Sequence, residues 1–107
     1  MTKKTKNNPL GLRIGQRITI SKKAYVEYSS DGIRTINTQK LYEPLVCYVL
    51  SCVLRAEGQY HKGCLASFEQ DYDPAYLKVT KYVRLYQCAV SLNNKPFLVI
   101  PEDVILI

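Results

Sequence analysis

The sequence predicts a single domain built mainly of β-strands, and three observations favour that fold class. The chain has 107 residues, close to the commonest size of one domain. Apolar residues alternate with polar ones over several short stretches, which is the period of a strand with one buried face. Clusters of Gly, Pro, Asn and Asp separate these stretches, as expected where the chain turns.

The first ordered element is expected near Arg13, where the alternation of residue types begins. Residues 24–38 then predict a hairpin, because Asp31-Gly32 tolerates the positive φ angles of a tight turn. The first strand is expected to bury Ile14, Ile18 and Ile20 and to expose Arg13, Arg17 and Thr19.

Residues 45–55 fit either a strand or a helix. Pro44 suits the first position of a helix, so an α+β fold with a helix at 44–57 is the alternative to an all-β fold. The valines and tyrosine of the run prefer sheets, whereas Ser and Cys are poor helix formers, so we favour a strand. Glu57-Gly58 is then expected to turn the chain, and residues 59–68 to return as the partner strand.

The following segment predicts a loop and then a long strand. Residues 69–78 are acidic and polar, and Asp73-Pro74 can start one helical turn there. Alternation returns at 79–92 and ends at Asn93-Asn94, which predicts a primed hairpin turn. The strand is expected to place Val79, Val83, Leu85 and Ala89 on one face and Tyr82, Arg84 and Tyr86 on the other.

The end of the chain predicts two further strands around a short turn. Residues 97–100 form the first of them. Pro101-Glu102-Asp103 predicts a 3₁₀ turn, and residues 104–107 are expected to close the domain with a final strand.

This order of elements resembles the SH3-like small-barrel superfamily over residues 13–107. Such barrels have a first strand, a long excursion often folded as a hairpin, three strands joined by tight turns, a 3₁₀ turn and a short last strand. The excursion corresponds here to residues 21–44 and the 3₁₀ turn to 101–103. The resemblance concerns architecture, and because this fold hosts many functions it does not supply one.

Two better-known groups of that superfamily match this chain poorly. Peptide-binding SH3 domains carry a conspicuous tryptophan and an acidic excursion loop, whereas this chain has no Trp and an excursion of mixed charge. Toxin ribonucleases with an SH3-like core share an early Gly-containing strand and a Pro followed by apolar residues, here Pro44-Leu45-Val46. Their catalytic pattern has no clear counterpart in this sequence.

Positive charge is concentrated at the N-terminus. Residues 1–23 carry seven basic and no acidic residues, a charge of +7, and the rest carries eight basic against nine acidic residues, a charge of −1. We therefore expect a flexible basic arm at 1–12 and a nearly neutral barrel at 13–107. The residues expected to contact nucleic acid or a nucleoprotein are Lys3, Lys4, Lys6, Arg13, Arg17, Lys22 and Lys23. A solvated tail that only keeps the protein soluble is the alternative.

Tyrosine is the unusual residue type, with nine in the chain. Its large ring and polar tip favour interfaces, although small barrels also use tyrosine to cover their cores. The expected protein-interaction residues are Tyr72, Tyr76, Tyr82, Arg84 and Tyr86. The acidic, aromatic loop at 69–76 supports a second hypothesis: a small inhibitor or accessory protein, of the kind carried by phages or mobile elements, that binds a basic surface of a host protein.

Residues that could carry out chemistry are sparse. His61 is the only histidine, and with Cys64 it forms a pair that lacks a third catalytic member. Cys47 and Cys52 would face opposite sides of a strand, not one zinc ion. We therefore expect a non-enzymatic binding module with no catalytic residues, metal or cofactor, and a small hydrolase or ribonuclease is the third hypothesis.

Two further expectations follow from composition. The four cysteines lie among apolar neighbours and are expected to be free and buried, since a free cysteine behaves as a small apolar residue. No apolar run approaches the roughly 20 residues that a membrane-spanning helix needs, so we expect no membrane partner and a cytoplasmic location.

Overall fold

Short alternating stretches and turn residues give this chain an all-β fold, as the sequence predicts. The computed structural model describes residues 3–61, 64–65, 72–73 and 76–105. Its strands are β1 (Arg17–Tyr28), β2 (Ile33–His61), β3 (Cys64–Leu65), β4 (Tyr72–Asp73), β5 (Tyr76–Ala89), β6 (Phe97–Val99) and β7 (Val104–Ile105). A 3₁₀ helix at Pro101–Asp103 precedes β7, as predicted. Within these residues there is no helix with the length and apolar character needed to cross a membrane.

The main sheet closes on itself. Its strand order is β2-β5-β6-β1-β7, and β1 also pairs with β2, so β1, β2, β5 and β6 form a ring with β7 attached to β1. β3 and β4 pair separately. Closing the ring satisfies backbone groups that an open sheet would leave at its edges. The fold class is therefore the predicted all-β small barrel, whereas membership of the SH3-like superfamily stays a prediction.

The core lies within this ring. Ile18 and Ile20 are buried, as the alternation along β1 predicts. Ile14 was predicted to face the core with them, and that prediction is wrong, because β1 begins at Arg17 and Ile14 lies in a turn where it is 79 % exposed. Leu12 is buried instead. The buried cluster consists of Leu12, Ile18, Ile20, Cys47, Val49, Tyr86, Cys88, Val99 and Val104.

The thiols fit the predicted pattern in part. Cys47 and Cys88 are free and buried, and the interaction between their thiols lowers the pKa of Cys47 and raises that of Cys88. Cys52 is free but exposed, which corrects the expectation that every cysteine is buried. The side chain of Cys64 lies outside the described part of the chain.

The predicted hairpin at 24–38 is confirmed. β1 and β2 pair in register from Tyr28↔Arg34 back to Lys22↔Lys40. Gly32 has φ +81° at the turn, and its N–H donates to the carbonyl of Ser29 at 3.0 Å. The Asp-Gly signal therefore identified both the position of the turn and the residue with positive φ.

Residues 45–55, which fit either a strand or a helix in the sequence, lie in strand β2. The segment is a strand, so the alternative helix at 44–57 is wrong. The predicted turn at Glu57-Gly58 is also wrong: these residues form a register shift within β2, which continues to His61. The partner strand is therefore β5 and not residues 59–68.

Further corrections concern the chain after β2. Of the loop predicted at 69–78, residues 72–73 form β4 and 76–78 belong to β5, whereas Pro74 and the proposed helical turn lie outside the described residues. The turn before β6 is formed by Ser91–Asn94, with the Asn94 N–H donating to the Ser91 carbonyl at 3.2 Å. No described non-glycine residue has positive φ, so the predicted primed turn at Asn93-Asn94 is wrong. The strand predicted at 97–100 is β6.

Candidate nucleic-acid interface

Asn8 attaches the N-terminal segment to the barrel. Its Nδ2 donates to the carbonyl oxygen of Leu12 at 2.7 Å, and its Oδ1 accepts the N–H of Leu12 at 3.1 Å. The Tyr86 hydroxyl donates to the same Oδ1 at 2.5 Å and accepts the N–H of Leu10 at 3.0 Å. Leu12 belongs to the core cluster, and the partly buried Leu10 packs against it. Residues 8–12, assigned to the arm from the sequence, thus lie against the barrel, and the exposed lysines before them extend from this attachment.

Tyr86 has a different position from the one predicted. Its side chain is fully buried, and burial raises the pKa of its hydroxyl. Leu85, which faces the other side of β5, is buried as well. Alternation was therefore misleading here, because both faces of β5 are covered at this point and Tyr86 belongs to the core. It is not an exposed recognition residue.

A groove of about 400 Å³ lies beside the docked segment, and we call it the Tyr82 groove. Its lining residues are Pro9, Ile36, Glu57, Lys81, Tyr82, Val83, Arg84, Ile100, Pro101 and Glu102. Tyr82 is 61 % exposed, so most of its ring is open to a ligand. Successive residues of a strand face opposite sides, which places Tyr82 and Arg84 on one face of β5. These two predicted interaction residues do share a surface.

Arg84 connects this groove to the basic arm. Its Nη1 donates to the Oδ1 of Asn7 at 2.7 Å, across a sequence separation of 77 residues. Asn7 is the direct neighbour of Lys6, and consecutive Cα atoms are about 3.8 Å apart. The structure therefore brings the arm, predicted to bind phosphates, to the groove that contains Tyr82.

The charge of this region is predominantly positive. Glu57 is already engaged, because its Oε2 accepts the N–H of Ile36 at 2.7 Å and its Oε1 lies 3.8 Å from the Nζ of Lys81. Glu102 is the second carboxylate that lines the groove. The basic residues of the groove and the arm are Lys3, Lys4, Lys6, Lys81 and Arg84. Five cations against two carboxylates favour an anionic ligand.

The other predicted basic residues lie elsewhere. Arg17 is the cross-strand partner of Tyr48, and Arg13 is in the turn before β1. Lys22 lies opposite Lys40 in the hairpin, and the Nζ of Lys23 is 4.3 Å from the ring centroid of Phe97. The seven residues predicted to bind nucleic acid therefore do not form one surface.

The predicted interaction loop is mostly outside the described residues. Tyr72 is in β4, and its side chain belongs to the part that is not described. Tyr76 is exposed, and its ring stacks on that of His61 with centroids 4.9 Å apart and planes at 21°. Within the described ranges, no group of three His, Cys, Asp or Glu side chains is placed to hold a metal ion.

Sequence reasoning missed a second groove, which we call the Tyr48 groove. It has a volume of about 470 Å³ and is lined by Gly15, Tyr48, Leu50, Ala89, Val90, Ser91 and Leu92. Leu92 is 95 % exposed. A leucine inside a turn of Ser and Asn was the signal that could have indicated this surface, since turns are otherwise formed by small and polar residues.

No protein-family model, no curated protein and no solved structure matches the chain.

Proposed function

We propose that this chain is a non-enzymatic nucleic-acid-binding module, in which the basic arm and the Tyr82 groove bind one strand. The observation that carries the proposal is the Arg84–Asn7 hydrogen bond, because it anchors the lysine-rich arm beside an exposed tyrosine. Lys3, Lys4 and Lys6 would contact backbone phosphates, which supply most of the non-specific affinity of such proteins. A cytoplasmic location, as predicted from the sequence, is compatible with this ligand.

A single strand suits the groove better than a duplex. Bases of a duplex remain stacked on each other, whereas an unpaired base can stack on an aromatic ring beside a positively charged groove. Tyr82 offers such a ring, and Pro9 and Pro101 line the same groove. We therefore infer that Tyr82 stacks on one base while Lys81 and the arm lysines contact the flanking phosphates.

Fluorescence anisotropy with labelled oligonucleotides tests the proposal. Single-stranded DNA and RNA of about 12 nucleotides, and a duplex of the same length, are titrated with the full chain. Measurements at salt concentrations between about 50 and 200 mM give the salt dependence of binding. Replacing Lys3, Lys4 and Lys6 together by Ala is expected to reduce the slope of log K against log salt by about 2. Tyr82→Ala is expected to weaken binding by about 1–3 kcal/mol.

The control is Tyr42→Ala, because Tyr42 is fully exposed on β2 and does not line the groove. Substituting the lysines is preferable to deleting residues 1–10, which would also remove Asn8 and Leu10 and disturb the core. No binding to any of the three oligonucleotides at the lowest salt would refute the proposal. Equal affinities for wild type and Tyr82→Ala would refute the stacking role.

A further inference from the structure

The Tyr48 groove lies between two turns and exposes several large apolar side chains. Leu92 is almost fully exposed, Ile14 beside Gly15 is largely exposed, and Tyr48 and Val90 are each about two-fifths exposed. Single exposed apolar residues are ordinary, but a contiguous apolar patch on a small protein marks an interaction site. Tyr48, Val90 and Leu92 line one cavity, so they meet that description, and Ile14 adjoins the lining residue Gly15 in the chain.

Backbone hydrogen bonds hold both sides of this groove in place. On one side, the N–H of Gly15 donates to the carbonyl of Val49 at 2.6 Å, and the N–H of Val49 donates to that of Gln16 at 3.0 Å. On the other side, Ser91 and Asn94 are joined by a backbone hydrogen bond and by one between their side chains. The paired residues Tyr48 and Ala89 lie between the two turns. The groove is therefore formed before any ligand arrives, which lowers the entropic cost of binding.

The chain segments that form the groove carry basic residues and no carboxylates. Arg17 is exposed and lies opposite Tyr48 in the β1–β2 pairing, and Arg13 is exposed next to Ile14. The segments 1–26, 44–56 and 74–101, which contain every residue of the lining, have no Asp or Glu. An occupant that matches this surface must be apolar in its centre and acidic at its edges.

We propose that the Tyr48 groove binds a segment of another protein in which apolar or aromatic side chains are flanked by Asp and Glu. The apolar side chain packs between Tyr48, Leu50 and Leu92, and the flanking carboxylates pair with Arg13 and Arg17. A concave floor between two turns accepts inserted side chains, whereas a flat lipid surface would leave it empty. This site is separate from the Tyr82 groove, so the proposal does not depend on nucleic-acid binding.

Selection from a display library of random peptides tests this inference on the full chain. Peptides that bind are synthesised, and their affinities are measured by fluorescence anisotropy. The enriched sequences are expected to combine apolar or aromatic residues with neighbouring Asp or Glu. Their affinity is expected to fall about tenfold for Leu92→Ser and for Arg17→Gln, as for residues at the centre of an interface. Both positions are exposed, so these variants should fold normally.

Tyr42→Ser and Tyr82→Ala are the controls, and both should bind the selected peptides as wild type does. The proposal is wrong if no peptide is enriched, if the enriched peptides lack acidic residues, or if Leu92→Ser binds them with unchanged affinity. It is also wrong if the groove binds phosphatidylserine vesicles in place of peptides. Self-association that Leu92→Ser abolishes would equally overturn it, because the occupant would then be a second copy of the chain.

Discussion

A buried tyrosine hydroxyl needs hydrogen-bond partners inside the protein, and Tyr86 obtains them from the N-terminal segment. It donates to the Asn8 side chain and accepts the backbone N–H of Leu10. Its ring belongs to the same cluster as Leu12. One side chain thus links the position of the arm to the stability of the core, and through Asn7 and Arg84 to the Tyr82 groove.

Replacing this tyrosine by phenylalanine should release the N-terminal segment. Tyr86→Phe keeps the buried ring but removes both hydrogen bonds, which should lower the free energy of unfolding by about 1–2 kcal/mol. Urea unfolding measures that loss, and hydrogen exchange should be faster at the amides of Leu10 and Leu12. Tyr42→Phe, at a fully exposed position, is the matched control and should change neither quantity. Unaltered exchange at Leu10 would show that the hydroxyl does not hold the segment.

The pH dependence of stability distinguishes the contribution of the Tyr86 hydroxyl from a change in the packing of its ring. Burial raises the pKa of Tyr86 above its ordinary value of 10.0, so the folded protein favours the neutral form. Its contribution is therefore fully present below about pH 10 and is lost as the pH rises through the folded-state pKa. The stability difference between wild type and Tyr86→Phe should narrow as the pH is raised from about 8 to 11. Cys88, whose pKa is raised by its hydrogen bond with Cys47 and by burial, is present in both proteins.

At the scale of elements, β2 is long enough to pair with two strands in succession, and its pairing with β5 is irregular at two places. Its first half pairs with β1, its second half pairs with β5, and irregularities lie between Val49 and Ser51 and between Glu57 and Gly58. At the second of these, β5 approaches so closely that a Cβ on Gly58 would lie 2.2 Å from the carbonyl oxygen of Lys78. Glycine is required here by a neighbouring strand and not by a turn.

Gly58→Ala should therefore destabilise the pairing of β2 with β5. The backbone of Lys78 cannot move as a flexible side chain can, so we expect a loss of roughly 1–3 kcal/mol in the free energy of unfolding. Thermal or urea unfolding measures the loss, and amide exchange should increase at residues 57–60. Tyr60 also contacts the hairpin turn through its N–H and the carbonyl of Gly32 at 2.8 Å, so exchange there reports on both elements.

The comparison variant is Gly15→Asn. Gly15 has φ +84°, no atom lies within 4 Å of the position that a Cβ would take there, and Asn tolerates positive φ. This change should cost less than about 1 kcal/mol. If both variants were equally stable, close strand approach would not be the reason for glycine at Gly58.

Turns that depend on the backbone preferences of their own residues could be predicted from the sequence. Features that depend on pairing with a strand distant in the chain could not. Asp31-Gly32 specifies a hairpin turn through its own backbone preferences, and Pro101 begins the 3₁₀ helix in the same way. Glu57-Gly58 looks equally turn-like, but β5 pairs alongside it and the chain continues straight through. Leu12 and Ile14 are both large apolar residues next to a glycine, but Leu12 is buried and Ile14 is exposed. Asn8 holds the backbone of Leu12 through two hydrogen bonds, and local composition does not reveal that contact.

At the scale of the whole molecule, the protein is more elongated than a typical domain with this number of residues. Its radius of gyration is 17.6 Å, against about 13 Å expected for this length, and its extents are 62 × 31 × 25 Å. Every residue of the core cluster lies outside the segment 50–85, so the far part of the β2–β5 ribbon contributes none of them. The ribbon therefore extends from a barrel whose core is complete without it.

Individual residues of the candidate site could be predicted from the sequence, but their arrangement in space could not. The sequence located the charge excess on the arm and selected Tyr82 and Arg84 as exposed residues of one strand face. It could not show that the Asn7 side chain accepts a hydrogen bond from Arg84, because these residues are 77 positions apart in the chain. For the same reason it grouped Arg17 with the arm, although strand pairing places this residue beside Tyr48.

Shortening the ribbon separates the first two of the three functional hypotheses that the sequence raised. Gln59 and Lys78 are register partners, so residues 60–77 can be replaced by Asn-Gly to form a two-residue hairpin. The shortened chain should unfold cooperatively and lose only about 1 kcal/mol, because it loses the His61–Tyr76 ring stacking and moves the backbone N–H that Tyr60 donates to Gly32 into the new turn. It should bind single strands with the same salt dependence as the full chain, because the arm and the Tyr82 groove are retained. If the barrel stayed folded but no longer bound single strands, the arm and the Tyr82 groove would not be sufficient for that binding. The proposed nucleic-acid site would then be wrong, and the host-directed inhibitor, which uses the acidic segment 69–76 with Tyr72 and Tyr76, would be the hypothesis to test next.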